Sequence, residues 1–246
     1  MDDSLETDDG FTGTLRLIAP RFCPYAETCV LVLNAKNVEY ELVFFYPESK
    51  PEWISIINPN GTLPALEYEK RKVIFDSNII NVYLDEKHPK PPLQSSDPLR
   101  RAQDKLIVKL FAEAVSAFHT AAFNAEALTP TSAENYHKGL EFLQKEIETR
   151  NTTFLFGDKP GLVDYSLWPF LQRFQVLPQL GRSEFAIDKY LTLLKYMKKM
   201  EVQGPCLQKA YFLGPDILST ITGPQIEDLP DSNMYDSSSE LYMCPN

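Results

Sequence analysis

One sulfur in this chain stands where a thiol becomes reactive. Cys23 lies in Arg21-Phe22-Cys23-Pro24-Tyr25-Ala26-Glu27, directly after the strand-like run Thr14-Leu15-Arg16-Leu17-Ile18-Ala19. Pro fits the first helical turn because it has no N–H to lose and its φ is already helical. Cys23 is therefore expected at the start of a helix, where free N–H groups and the macrodipole favour an anion by roughly 0.3–1 kcal/mol at exposed positions. Helix N-termini are where thiol pKa values fall, so the context predicts an ionised nucleophile. A lone Cys is otherwise a small buried hydrophobe. A dithiol redox site would carry its second sulfur three residues on, on the same helix face, but that position is Ala26. Cys29 is six residues on, roughly 240° around the helix, and reads as core. A disulfide formed by Cys23 must then be resolved by a thiol from elsewhere.

Three further motifs carry chemistry. Asp76-Ser77 opens a helix over Ser77–Lys87, with Asp76 as its N-cap and its first N–H groups available to a carboxylate. Leu63-Pro64 precedes a short strand, and Lys50 precedes Pro51-Glu52-Trp53. Gly161-Leu162-Val163-Asp164 keeps the acidic half of a helix capping box, with Gly as an acceptable cap, so Asp164 is structural. The four Cys (23, 29, 206 and 244) and three His are too scattered for a zinc site, and no metal is expected.

Alternating strand and helix signals position these residues. Residues 14–88 read β-α-β-α-β-β-α. A helix from Pro24 to about Lys36 has Ala26, Val30 and Leu33 on one face. Strands follow at 39–46, 65–68 and 73–75, with a short helix at 51–57. The first and second strands should pair in parallel and the last two as a hairpin. Pro89–Ser96 is a linker by composition. Beyond it only helices are expected: a long one after Asp97-Pro98, then 131–149, 162–177, 187–201 and 204–221. The long helix carries Leu99, Ala102, Leu106, Leu110, Ala114, Val115, Phe118 and Ala122 on one apolar face. The helix from Leu162 is apolar on most sides and should be the buried centre, kinked at Pro169. The expected units are an acidic extension (1–12), an α/β domain (13–94), a helical domain (95–221) and an acidic, flexible tail (222–246).

The chain has 246 residues, long enough for a real core. Its formal charge is −10, and five acids in residues 1–10 with five in 222–246 account for all of it. Residues 11–221 are neutral, which argues against a nucleic-acid surface. No apolar run approaches the roughly 18 residues that span a bilayer. The acidic start lacks a signal peptide's basic region, so a cytoplasmic protein is expected.

Arg21–Glu27, Lys50-Pro51-Glu52-Trp53, Asn58-Pro59-Asn60-Gly61-Thr62-Leu63-Pro64 and Phe75-Asp76-Ser77, in this order, resemble the omega class of cytosolic glutathione transferases over about residues 14–200. The resemblance implies an N-terminal thioredoxin-like domain, an all-helical C-terminal domain and glutathione as co-substrate. It implies that Cys23 forms a mixed disulfide with glutathione, giving thiol transferase and dehydroascorbate reductase activity with weak conjugation. It further implies that Lys50 meets the glycyl carboxylate, that a cis Leu63–Pro64 bond presents the Leu63 backbone to the cysteinyl unit, and that Asp76 and Ser77 hold the γ-glutamyl group. Omega members typically carry Glu at the position of Asp76. The electrophilic or disulfide substrate should sit between the domains, with Phe22, Tyr25, Phe118, Arg173 and Tyr211 as candidates. A homodimer is implied. Two rival readings share the fold: a chloride-intracellular-channel-like protein, and a non-catalytic glutathione-binding scaffold. Against the first, Glu27, Asn34, Glu39 and Glu41 oppose stable membrane insertion of residues 24–46.

Overall fold

A computed structural model of the chain describes residues 11–45, 50–202 and 241–242. The order is β1 (Leu15–Pro20), α1 (Pro24–Ala35), β2 (Tyr40–Phe45), α2 (Glu52–Ile57), β3 (Ala65–Glu69), β4 (Lys72–Phe75), α3 (Ser77–Lys87), α4 (Pro98–Phe123), α5 (Pro130–Arg150), α6 (Leu162–Phe174), α7 (Leu191–Val202) and β5 (Leu241–Tyr242). The sheet runs β4-β3-β1-β2-β5. β1 and β2 pair in parallel from Leu15↔Tyr40 to Pro20↔Phe45, and β3 pairs antiparallel with both β1 and β4. This is the thioredoxin-like arrangement expected from the sequence. The expected helix over 204–221 lies outside the described residues. Leu241 and Tyr242 pair antiparallel with Glu41 and Tyr40 of β2, so a strand falls where the sequence suggested only a flexible tail.

β1 is buried on both faces, and its alternate residues feed two layers. Leu17 and Ala19 join the large core under α1, while Ile18 packs with Phe45, Ile54 and Ile57 beside α2. Arg16, on the same strand, is nearly inaccessible and donates to the Glu67 carboxylate of β3, with its guanidinium 5.2 Å from the Trp53 ring centroid. α1 is buried from Ala26 to Leu33 because the sheet, α3 and α6 enclose it. α6 is buried along nearly its whole length, with Pro169 inside it.

The linker is fastened to both domains. Lys36 pairs with Asp85 and also reaches the Pro91 carbonyl, while Asp85 accepts from Leu93 N at 2.9 Å and Gln94 Nε2 at 3.0 Å. Leu93 is itself core, and its carbonyl accepts from Leu162 N at 2.9 Å. The Lys90–Pro91 bond is cis.

The long helix α4 differs from the expected pattern. Asp97 caps it as foreseen, accepting from Leu99 N and Arg100 N. Its buried side, however, is Ile107, Phe111, Ala114, Val115, Ala117, Phe118 and Ala121, whereas Leu99, Leu106 and Leu110 are 66%, 51% and 42% exposed. The sequence offers two apolar stripes in the first half of this helix, and packing on α5 and α6 selects one. The α4–α5 contact is close at Gly139, where a Cβ would stand 2.7 Å from Ala114 Cβ. Among the described residues α4 is also the one helix long and apolar enough to cross a bilayer by length and composition, with one side packed on α5 and α6 and 39% of its most apolar stretch buried.

Asp164 at the start of α6 is fully buried and accepts four hydrogen bonds: Leu155 N at 2.8 Å, Phe156 N at 3.1 Å, Gly161 N at 2.9 Å and the Tyr196 hydroxyl at 2.8 Å. Gly161 is required by space, since a Cβ there would meet Leu93 O at 2.6 Å and Phe156 Cγ at 2.5 Å. Asp164→Ala leaves four donors without their acceptor, three of them buried, and each buried unpaired group costs about 1–3 kcal/mol. After local relaxation, a loss of at least about 3 kcal/mol is expected, read as a lower urea midpoint with unchanged slope.

Candidate functional site

Cys23 is the N-cap residue of α1, in extended backbone (φ −70°, ψ 116°), with Pro24 in the first turn. Its N–H reaches Pro20 O at 3.4 Å, and its carbonyl accepts from Glu27 N at 3.1 Å. The residue before it, Phe22, sits at φ +67°, a conformation bulky side chains seldom adopt unless the surroundings impose it. Part of that imposition comes from the other domain. Arg173 of α6 donates through Nη2 to Phe22 O at 3.1 Å, and through Nη1 to Pro169 O at 2.6 Å and Glu27 Oε2 at 2.7 Å. Glu27 and Arg173 are both buried. With its amide turned to suit its neighbours, Gln172 donates to Glu27 Oε1 at 3.1 Å and accepts from Trp168 Nε1 at 3.2 Å. Burial holds the Glu27 carboxyl above the usual carboxylate range even with Arg173 beside it.

The balance at the Cys23 sulfur corrects the expectation of a lowered pKa. Burial pushes the thiol up; the N–H groups of Ala26 and Tyr25 and the Arg173 guanidinium pull it down; Glu27 adds a smaller upward push. The net direction is upward. Desolvation of an anion in a half-buried crevice outweighs what one helix end and one shared guanidinium return. Cys29 is fully buried, with its thiol pushed far up by burial, and its Sγ lies 3.7 Å from Tyr25 O and 3.9 Å from Ser77 O. Cys206 lies outside the described residues, as does Cys244.

The Leu63–Pro64 bond is cis. Asp76 stands at φ +74° and caps α3, its Oδ1 accepting from Asn78 N at 2.8 Å and Ile79 N at 3.3 Å. Ser77 is buried beneath it, and its N–H and hydroxyl are the donors at this helix end that Asp76 does not engage. Lys50 is exposed, and its Nζ lies over the Asn58–Gly61 turn, 3.5 Å from where a Cβ on Gly61 would stand. That turn is closed by Gly61 N to Asn58 O at 2.9 Å, and Gly61 at φ +68° needs its glycine. Cys23 follows the end of β1, the cis-Pro loop precedes the start of β3 and Ser77 follows the end of β4; the pairings Ile18↔Ala65 and Ala65↔Phe75 bring all three to one end of the sheet.

The residues expected around a second substrate separate. Phe118 is core, 1% exposed and packed on Phe174 at 5.1 Å, so it does not line an open site. Arg173 is likewise internal, engaged with Glu27, Pro169 and Phe22. Phe22 is half-buried, with the Arg21 guanidinium 5.6 Å from its ring centroid. Tyr211 lies outside the described residues. Tyr25 is 40% exposed, and its ring meets Phe170 edge-on at 4.9 Å and His119 at 6.3 Å. His119, on α4, escaped the sequence reading because a single His on a long helix carries no pattern. A cavity of about 660 Å³ opens where α3, α4 and α6 meet, lined by Tyr25, Ser77, Asn81, Lys105, Phe111 and Phe170 among others. Cys23 does not line it, although Tyr25, two residues on, does. No group of His, Cys, Asp and Glu able to hold a metal occurs among the described residues.

Comparison with known proteins extends the geometry. Residues 22–87 match the glutathione S-transferase N-terminal domain, and residues 112–215 match the C-terminal domain of the same family. A pyrimidodiazepine synthase of Drosophila melanogaster is 37% identical over 81% of both chains. Glutathione S-transferase omega-1 of Rattus norvegicus is 32% identical over 67% of this chain and 69% of its own length. Among solved structures, glutathione transferase Omega 3C of Trametes versicolor superposes with a TM-score of 0.69 at 25% identity, covering 82% of this chain and 84% of that one.

The signs at Cys23 give a test that a purely structural role would not meet. Arg173→Gln removes a group that lowers the thiol pKa, so the alkylation–pH curve of Cys23 shifts to higher pH. Glu27→Gln removes a group that raises it and shifts the curve to lower pH. Both substitutions break a buried pair and destabilise the fold by roughly 3–5 kcal/mol. Iodoacetamide kinetics followed by mass spectrometry from pH 6 to 10 checks this, and shifts of the same sign would refute it.

Proposed function

The chain belongs to the glutathione S-transferase family, with its relatives in the omega class, and from that premise we propose that it is a cysteine-based glutathione-dependent thiol transferase. The observation that carries this reading is Cys23 at the N-cap of α1, with the other described thiol, Cys29, fully buried. The Cys23 thiolate attacks the glutathionyl sulfur of a mixed disulfide; a Cys23–glutathione disulfide forms and the substrate leaves as its thiolate. A second glutathione thiolate then attacks the glutathionyl sulfur on Cys23. Oxidised glutathione leaves, and Cys23 is restored as thiolate. By the same resemblance the chain reduces dehydroascorbate at the expense of two glutathiones and conjugates only weakly.

In this reading the γ-glutamyl carboxylate of glutathione meets the N–H and hydroxyl of Ser77, an anion at a helix N-terminus. Its amino group meets Asp76, whose Oδ2 is not used in capping. The main chain of Leu63, held beside cis-Pro64, pairs with the cysteinyl unit, and Lys50 meets the glycyl carboxylate. Support comes from the donors of Ser77 left unengaged by the cap and from the position of Lys50 over the Gly61 turn. Dimerisation and a cytoplasmic setting belong to the same proposal. The exposed Leu99, Leu106 and Leu110 supply an apolar strip for a two-fold contact, and the two described Cys are free thiols.

A second reading takes its substrate from the Drosophila relative: the same Cys23 chemistry would serve formation of a pyrimidodiazepine. The length of that match, 81% of both chains, favours including it. The channel-like reading is opposed by Glu27, buried and paired inside the domain interface. The scaffold reading is opposed by the presence of Cys23, cis-Pro64 and Ser77 together.

Cys23→Ala is expected to abolish glutathione-dependent disulfide reduction, while Cys29→Ser retains it. Intact mass after exposure to oxidised glutathione should show one adduct, on Cys23; full thiol transfer by Cys23→Ala would overturn the mechanism. Because burial pushes the Cys23 thiol up, the thiolate fraction and the rate rise with pH through the ordinary thiol range instead of reaching a plateau below neutrality. Light scattering should find a dimer for the native chain and a monomer for Leu106→Glu/Leu110→Glu.

A further inference from the structure

We infer that β5 is a detachable seal on the edge of β2, and that the partner it keeps away is the β2 edge of a second copy of this chain. Without β5 the described sheet would end on β4 at one side and on β2 at the other. The two edges are built differently. β4 is four residues long and opens on Lys72, which is exposed and pairs with Glu69, and its register with β3 is broken between Glu67 and Glu69. A short strand, a lysine and an irregular register are devices by which sheet edges avoid other strands. β2 has none of them. It runs six residues, Tyr-Glu-Leu-Val-Phe-Phe, in unbroken register with β1. Apart from Glu41 it is aromatic or aliphatic throughout, and Glu41 is buried and accepts from the Thr12 hydroxyl. Such a strand, laid open, is a template for pairing. What covers it is the chain's own Leu241 and Tyr242, antiparallel on Glu41 and Tyr40.

The edge fits a copy of itself. Two β2 strands related by a two-fold axis run antiparallel. Aligned end to end, they set Tyr40 opposite Phe45, Glu41 opposite Phe44 and Leu42 opposite Val43. No like charges meet, and aromatic and β-branched cross-strand pairs favour the contact. That ladder would be six residues long, against the two residues of β5. β5 holds the edge because it is tethered: residues 203–240 join it to α7, so its pairing is intramolecular and does not depend on protein concentration. Pairing with a second copy does. The competition between seal and copy is therefore set by protein concentration and by the backbone N–H groups of β5.

The test uses the full chain carrying Leu241→Pro/Tyr242→Pro, which removes both N–H groups of β5 and leaves β2 untouched. In dilute protein, hydrogen exchange of the β2 segment is expected to quicken roughly ten-fold or more, while β1 and β3 stay within about two-fold of the native chain. In a sedimentation series the native chain should keep its size, and the variant should grow beyond that size as concentration rises. The growth should persist when Leu106→Glu/Leu110→Glu is added, which separates it from a contact on α4. A synthetic peptide of residues 236–246, added in excess, should return the variant to the native size, and a scrambled peptide should not. Unchanged exchange in β2 overturns the seal. A variant that keeps the native size at every concentration overturns the second copy as partner, as does growth abolished by the α4 substitutions. Faster exchange across β1 and β3 as well, or growth that the native peptide does not reverse, marks general loss of fold and overturns the inference too. Cys23→Ala should change none of these readouts, so the seal stands or falls apart from the transferase reading.

Discussion

The ion pair between Glu27 of α1 and Arg173 of α6 is the point at which the two domains and the Cys23 loop meet. Neither side chain has access to water, so each needs the other, and the remaining guanidinium donors must find carbonyls. They find Pro169 O on their own helix and Phe22 O in the opposite domain. One side chain therefore fixes the interdomain geometry, holds Phe22 in a left-handed conformation and puts a positive charge near Cys23. The site belongs to neither domain separately, because the loop that carries the sulfur is completed by a helix about 150 residues further along the chain.

The same enclosure sets a conflict that the site must manage. A thiol screened from water resists ionisation, and a thiol open to water loses the contacts that orient its partner. Here the opposing groups are close to Cys23 and few: two N–H groups of one helix turn, a shared guanidinium and a carboxylate that works against them. Because the net falls on the side of the neutral thiol in the free protein, reactivity is sensitive to anything that alters hydration of the crevice or the Glu27–Arg173 balance.

Around this centre, the connections that look passive by composition carry structure. The Pro-rich linker is pinned by Lys36–Asp85 and by Leu93, which enters the core and bonds the first turn of α6. Asp164 gathers the chain between α5 and α6 onto the same turn and reaches α7 through Tyr196. These polar anchors hold α6 in register, which in turn sets Arg173 at the height of Phe22. Positioning of the sulfur is thus a consequence of hydrogen bonds made well away from it.

Local chemistry made much of this legible from the residues. Pro24 after Cys23, Asp76 before Ser77 and Asp97 before Pro98 mark helix starts because capping and fixed φ depend only on neighbours in sequence. The succession of strand and helix signals over residues 14–88 and the change to helices after Pro89–Ser96 depend on composition and periodicity, which are also local, and the family pattern carried the glutathione transferase fold. What the residues did not reveal depends on who stands across the gap. Leu106 and Leu110 look as buried as Phe111 until α5 and α6 choose a side of α4. Arg173 reads as a substrate contact until Glu27 is found facing it. His119 has no pattern until Tyr25 is beside it, and the Cys23 pKa turns on burial that helix position cannot express. Sequence by itself determined the elements, their order and the placement of the sulfur at a helix start, since those follow from backbone sterics and near-neighbour hydrogen bonds. Tertiary structure alone decided which faces are covered, which charges pair and how strongly water is excluded from the sulfur, since desolvation and Coulomb interactions depend on distance in space.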